Sequence, residues 1–137
     1  SKPKLRMELG MTYEGATLNK LAERTYKQYT VQFPERIIGW YRMAIVQQRM
    51  GQLEKAIQTL IKGAKYAPPK MDAPHWQLGL WLIDAGRIEE AKKHIAIANS
   101  IKPNSLQVQI ANGRIALAER KPALHSRADM ACTPAFG

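Results

Sequence analysis

Three histidines (His75, His94, His125), one cysteine (Cys132) and one adjacent acidic pair (Glu89-Glu90) are the side chains whose types could support catalysis or metal binding. Histidines hold a metal from spacings such as His-x3-His, which put two imidazoles on one helix face, and no such step occurs here. The three are not close in helical spacing and are expected to stay apart. A single cysteine forms no internal disulfide and has no second thiol with which to hold a metal. Adjacent glutamates on a helix point about 100° apart, which suits a solvated surface better than a convergent acid and base. Glycine-rich phosphate loops are also missing from the sequence. These residues predict no catalysis, no metal and no cofactor, so the chemistry is that of binding.

Binding residues are better supplied. Ile38, Tyr41 and Ile45 advance in steps of three and four, as do Trp76, Leu80 and Ile83, and each set therefore lies on one face of a helix. A second apolar stripe on each helix, Trp40, Met43 and Ala44 on the one and Leu78, Gly79 and Leu82 on the other, is enough for a helix-hairpin core. The first stripe is surplus to that core, and a contiguous exposed apolar stripe marks an interaction site. Tyr41 and Trp76 would be its aromatic anchors, with Arg42, Arg49 and Lys4 at the rim and Met7 and Met11 as adaptable packing. Such a surface suits an amphipathic helix or extended peptide with apolar and some acidic side chains. The competing reading packs these residues between neighbouring helices or under the C-terminal segment.

The 137 residues are 45% hydrophobic and 23% charged, an ordinary globular composition that excludes wholesale disorder and a disulfide-stapled mini-protein. The apolar run Gly79–Asp84 meets a charge after five residues, whereas a membrane span needs about 20. Lysine and arginine outnumber the acids 21 to 11, for a net charge of +10 that favours acidic partners. The surplus sits in the first half: residues 1–36 carry seven basic and four acidic groups, and 37–70 six and one. Spread singly along helices, these cations do not make the clustered arm of a nucleic-acid tail. The chain starts at Ser1 with no charged-then-apolar leader behind it, so a targeting segment is removed or the chain is a piece of something longer. The compartment, cytoplasmic or periplasmic, is left open.

The elements that position these residues follow from an internal period. Ala22, Ala56 and Ala91 recur at steps of 34 and 35, as do Pro34, Pro68 and Pro103, and Tyr26, Leu60 and Ile95. Leu9-Gly10, Met43-Ala44 and Leu78-Gly79 keep the same steps, and Met71 is the extra residue after Pro68-Pro69. Small residues let the two helices of a hairpin approach closely, while Trp40, Leu60, Leu82 and Ile95 fill the space between them. Gly51 and Gly86 mark the turns, and the prolines close the second helix of each unit. Strand signals are missing, so the fold class is all-α.

With Leu9-Gly10-x2-Tyr13, Ala22-x3-Tyr26 and Pro34 in unit one, and their counterparts in units two and three, the chain resembles the tetratricopeptide repeat (TPR) family. The family's leading tryptophan is present as Trp40 but is replaced by Arg6 and His75 in the flanking units. The resemblance implies a right-handed α-solenoid of antiparallel helix hairpins. Its units would be 3–36, 37–70 and 72–105, with a capping helix at 106–119 completing a domain of 1–120, then a weakly ordered tail at 121–137. It also implies a concave wall built from the first helix of each unit, with Met7, Met11, Ile38, Tyr41, Arg42, Ile45, Arg49, Trp76, Leu80 and Ile83 as the partner-binding groove. Glu14 falls at another inward position. The family's clamp for a chaperone's terminal carboxylate needs Lys, Asn, Asn, Lys and Arg. The matching positions here read Met7, Met11, Arg42, Ala73 and Gln77, so that clamp is not implied.

The expected function is a non-catalytic protein-interaction module, a scaffold or adaptor that takes a peptide or partner helix in its groove. RNA binding through the basic surface is the alternative, although Lys55, Lys62 and Lys65 lie on an outward helix and the groove is apolar. Self-assembly is a third reading, in which the apolar Leu106–Leu117 segment of one copy enters the groove of another.

Overall fold

A computed structural model describes the backbone of residues 1–132 and the side chains through Arg120. The described residues form seven helices in chain order: α1 (Lys2–Gly15), α2 (Asn19–Gln32), α3 (Ile37–Arg49), α4 (Leu53–Ala64), α5 (Ala73–Asp84), α6 (Ile88–Ile101) and α7 (Leu106–Cys132). Among the described residues there is no strand. Helices α1 and α2, α3 and α4, and α5 and α6 pack as hairpins, and each hairpin packs on the next through α2 with α3 and α4 with α5. Helix α7 lies against both α5 and α6, in the place of a further unit's first helix. It continues past the end expected at Glu119. The side chains of the expected weakly ordered tail, and its last five residues altogether, lie outside the described residues.

Among the described residues three apolar clusters form the core, and each spans neighbouring units. Ala22, Tyr26, Met43 and Val46 join units one and two; Ala44, Ala56, Ile57, Leu60, Leu78, Trp81, Leu82 and Ala91 join two and three; Ile95, Ala98, Val108, Ala111 and Ile115 join three and α7. Stability is therefore local to each seam, as in a one-dimensional stack. Gly79 on α5 faces the Ile95 side chain so closely that a Cβ there would collide with it, whereas Ala44, its counterpart on α3, is accommodated and fully buried.

The helix-to-helix turns also repeat, with one exception. Gly51 and Gly86 both have φ +79°, in the left-handed region that costs glycine nothing. The matching residue of unit one is Thr17, a β-branched residue at φ 59°, with its hydroxyl donating to the Ala16 carbonyl at 2.6 Å. An L-residue there is strained. Thr17→Gly is expected to raise the stability of the first hairpin by about 1 kcal/mol, read as a higher urea midpoint at unchanged slope.

Candidate binding groove

Helices α1, α3, α5 and α7 form one wall of the stack, and side chains tie it together across each seam. Between α1 and α3 the tie is Glu14, whose carboxylate is 8% exposed overall. Its Oε1 accepts from the Tyr26 hydroxyl at 2.6 Å, and its Oε2 accepts from Arg49 Nη1 at 2.6 Å. Arg42 Nη1 lies 3.7 Å from Oε1. The two guanidinium groups remain half in solvent, so one buried acid holds two cations in fixed positions on the wall. Burial, and then the bond to Glu14, push the Tyr26 hydroxyl well above its ordinary value of 10.0, which keeps it a donor. Between α3 and α5 the Tyr41 hydroxyl donates to Gln77 Oε1 at 3.4 Å. Burial and the nearby Asp72 push Tyr41 upward as well.

The structure divides the ten expected groove residues into two groups. Met11 on α1 and Ile38 on α3 are open, at 43% and 42% exposure, and Arg42 and Arg49, both on α3, reach Glu14 on α1. Met7 is half-buried against the cluster between units one and two. Tyr41, Ile45 and Ile83 pack on the cluster between units two and three. Trp76 and Leu80, with Ile83, pack on the cluster that α7 completes. The apolar stripe of α5 is thus partly consumed by α7, and the open part of the wall lies towards units one and two. Sequence reasoning placed Glu14 on the inward face but assigned it no role. The available signal was an acid at an inward position of α1, whose counterpart one repeat later, Gln48, is the neighbour of Arg49.

The expectation that the histidines stay apart is corrected for two of them. His75 on α5 and His94 on α6 face each other across one hairpin, with Nδ1 atoms 3.5 Å apart and rings stacked at 5.7 Å. Linear spacing missed this because the turn between the two helices, not a helical step, brings them together. Burial pushes both imidazoles below the ordinary 6.5, and His75 adds to the effect on His94. Two donors do not make a metal site, and no group of three or more metal-ligating side chains occurs among the described residues. No described helix is long and apolar enough to cross a membrane.

No family model and no curated protein matches the sequence. Solved structures do match in three dimensions. The TPR domain of P58(IPK) aligns over 99% of this chain at 23% identity with a TM-score of 0.76, and this chain spans 38% of that one. The first TPR of Spaghetti (RPAP3), bound to the HSP90 peptide SRMEEVD, aligns over 87% of this chain and 94% of its own at 17% identity and a TM-score of 0.78. The Yersinia enterocolitica type III secretion chaperone SycD, in complex with a peptide of the translocator YopD, covers 90% and 93% of the two chains at 16% identity and a TM-score of 0.70. Similarity at this level of identity establishes the fold, and the chain is an all-helical TPR solenoid.

Proposed function

We propose that this TPR solenoid is a non-catalytic protein-interaction module that takes a peptide or partner helix along the inward wall of α1, α3 and α5. One observation carries the reading: α1 and α3 leave Met11 and Ile38 open, and the same two helices are tied by Glu14 to the half-exposed Arg42 and Arg49. A wall that pairs exposed apolar side chains with pre-positioned cations suits a segment with both apolar and acidic residues. The RPAP3 and SycD structures, each with a bound peptide, lend the same fold as precedent. Recognition of a terminal carboxylate by the five-residue clamp does not extend to this chain, since Arg42 is the single cation among its matching positions.

The test is to select peptides on the immobilised protein from a displayed random library and to measure the best of them against variants. Leu80 is a poor choice for substitution, because it packs under α7 and its loss disturbs the fold as well as the wall. Met11→Asp with Ile38→Asp is expected to weaken the selected peptide by about tenfold or more, or roughly 1.4 kcal/mol, with helical content unchanged. Undiminished affinity in the double variant contradicts the assignment.

A further inference from the structure

The opposite face of the stack carries a second surface. Helices α2 and α4 both pack on α3 and meet each other through the Glu23–Lys55 ion pair, with a cleft of about 700 Å³ between them. One rail of the cleft is Lys20, Arg24 and Lys27 on α2, and the other is Lys55 and Lys62 on α4. Its floor is partly apolar, with Trp40 and Met43 of α3 and Met50 just past the end of that helix. The single acid in the lining, Glu23, is already engaged by Gln47 Nε2 at 2.9 Å and Lys55 Nζ at 3.2 Å. The cations of both rails are exposed.

The repeat supplies an internal comparison, because the same positions recur one unit later. Steps of 34 and 35 carry Lys20, Arg24 and Lys27 to Glu54, Gln58 and Ile61, and carry Lys55 and Lys62 to Glu90 and Ile97. Across that second seam Arg87 bonds Glu54 at 2.6 Å and Glu90 at 2.7 Å, closing it with ion pairs. The residue matching Arg87 at the first seam is the neutral Gln52. The fold is therefore built equally well without the two cationic rails, and their presence at one seam alone is a local property.

We propose that the cleft between α2 and α4 is a docking site for an acidic amphipathic helix of a partner protein, separate from the inward wall. Lys20, Arg24 and Lys27 stand at i, i+4 and i+7, and Lys55 and Lys62 at i and i+7, so each rail presents charge over about 10 Å of helix axis. A docked helix with acids at the same steps on two edges meets both rails, and an apolar stripe between those edges meets the methionines of the floor. A nucleic acid is less well served. Bases need free aromatic faces, and Trp40 is stacked on Tyr66 with ring centroids 6.3 Å apart. With both surfaces occupied, one solenoid joins two partners.

The experiment uses fluorescence anisotropy on the whole chain with three probes. They are a labelled helical peptide of about 18 residues with Glu at i, i+4 and i+7 flanking a Leu/Met stripe, the same composition scrambled, and a single-stranded RNA oligonucleotide. The variants are Lys20→Glu with Lys27→Glu in the cleft, and Lys70→Glu with Lys93→Glu elsewhere as a charge-matched control, each checked for unchanged helical content. The expected result is that the patterned peptide binds at least about tenfold more tightly than the scrambled one and loses about tenfold in the cleft variant. The control variant and Ile38→Asp should cost less than about threefold. Equal binding of the two peptides, equal losses in the two charge variants, or no binding overturns the proposal. Tighter binding of RNA than of the patterned peptide, lost in the cleft variant, also overturns it and assigns the cleft to nucleic acid.

Discussion

Trp81→Ala is expected to lower stability by about 4 kcal/mol, with a fall in melting temperature of about 14 °C. Trp81 is 5% exposed and sits in the cluster that joins units two and three, among Ala44, Leu60, Leu78 and Leu82. Its removal takes a large apolar area from the core and leaves a cavity that surrounding helices fill only in part. Because each unit of a solenoid is stabilised by its neighbours, the loss is not spread evenly. Helices α5, α6 and α7 should exchange their amide hydrogens well before α1 and α2, whose shared cluster with α3 is untouched. Circular dichroism melts and hydrogen exchange read the two effects separately. Uniform acceleration of exchange along the chain would contradict a stack of semi-independent seams.

Glu14→Ala is expected to cost about 3 kcal/mol. The carboxylate is buried while its arginine partners are half in solvent, so the penalty does not come from stranding two charges in a dry interior. Most of it comes from the Tyr26 hydroxyl, which is buried with Glu14 as its acceptor and is left without a partner. The lost pairing with Arg49 adds a smaller amount. Glu14→Gln keeps an acceptor for Tyr26 and removes the charge, and should cost about half as much. A double-mutant cycle between Glu14→Ala and Arg49→Ala, read from urea midpoints, should return a coupling of about 1 kcal/mol. A coupling near zero would mean that Arg49 is not held by Glu14, and that the wall's cations are free to move.

Much of the architecture was legible in the linear pattern. The 34-residue period, small residues at Gly10, Ala44 and Gly79, and glycines at the turns each have one physical reading, and the helices lie where that reading puts them. The turn of unit one was less legible, because Thr17 occupies a backbone conformation that its residue type does not advertise. The site was legible only as a face. Helical steps placed Tyr41, Ile45, Trp76, Leu80 and Ile83 on the inward side, but how much of that side is open depends on how far α7 reaches over α5. Periodicity within one helix carries no information on that. Pairings between elements were beyond it for the same reason: Glu14 with Arg49 and His75 with His94 are set by the stacking of helices, and neither pair shares a helix.

On the proposed function, the inward wall of α1 and α3 receives a peptide. The most direct measurement is a titration of isotope-labelled protein with a library-selected peptide, followed by backbone amide and methyl resonances. Met7, Met11, Ile38 and Ile45 are expected to shift in proportion to occupancy, together with the side-chain signals of Arg42 and Arg49, while α6 stays still. Shifts confined to α2, α4 or α6, with Met11 and Ile38 unmoved at saturation, would contradict it.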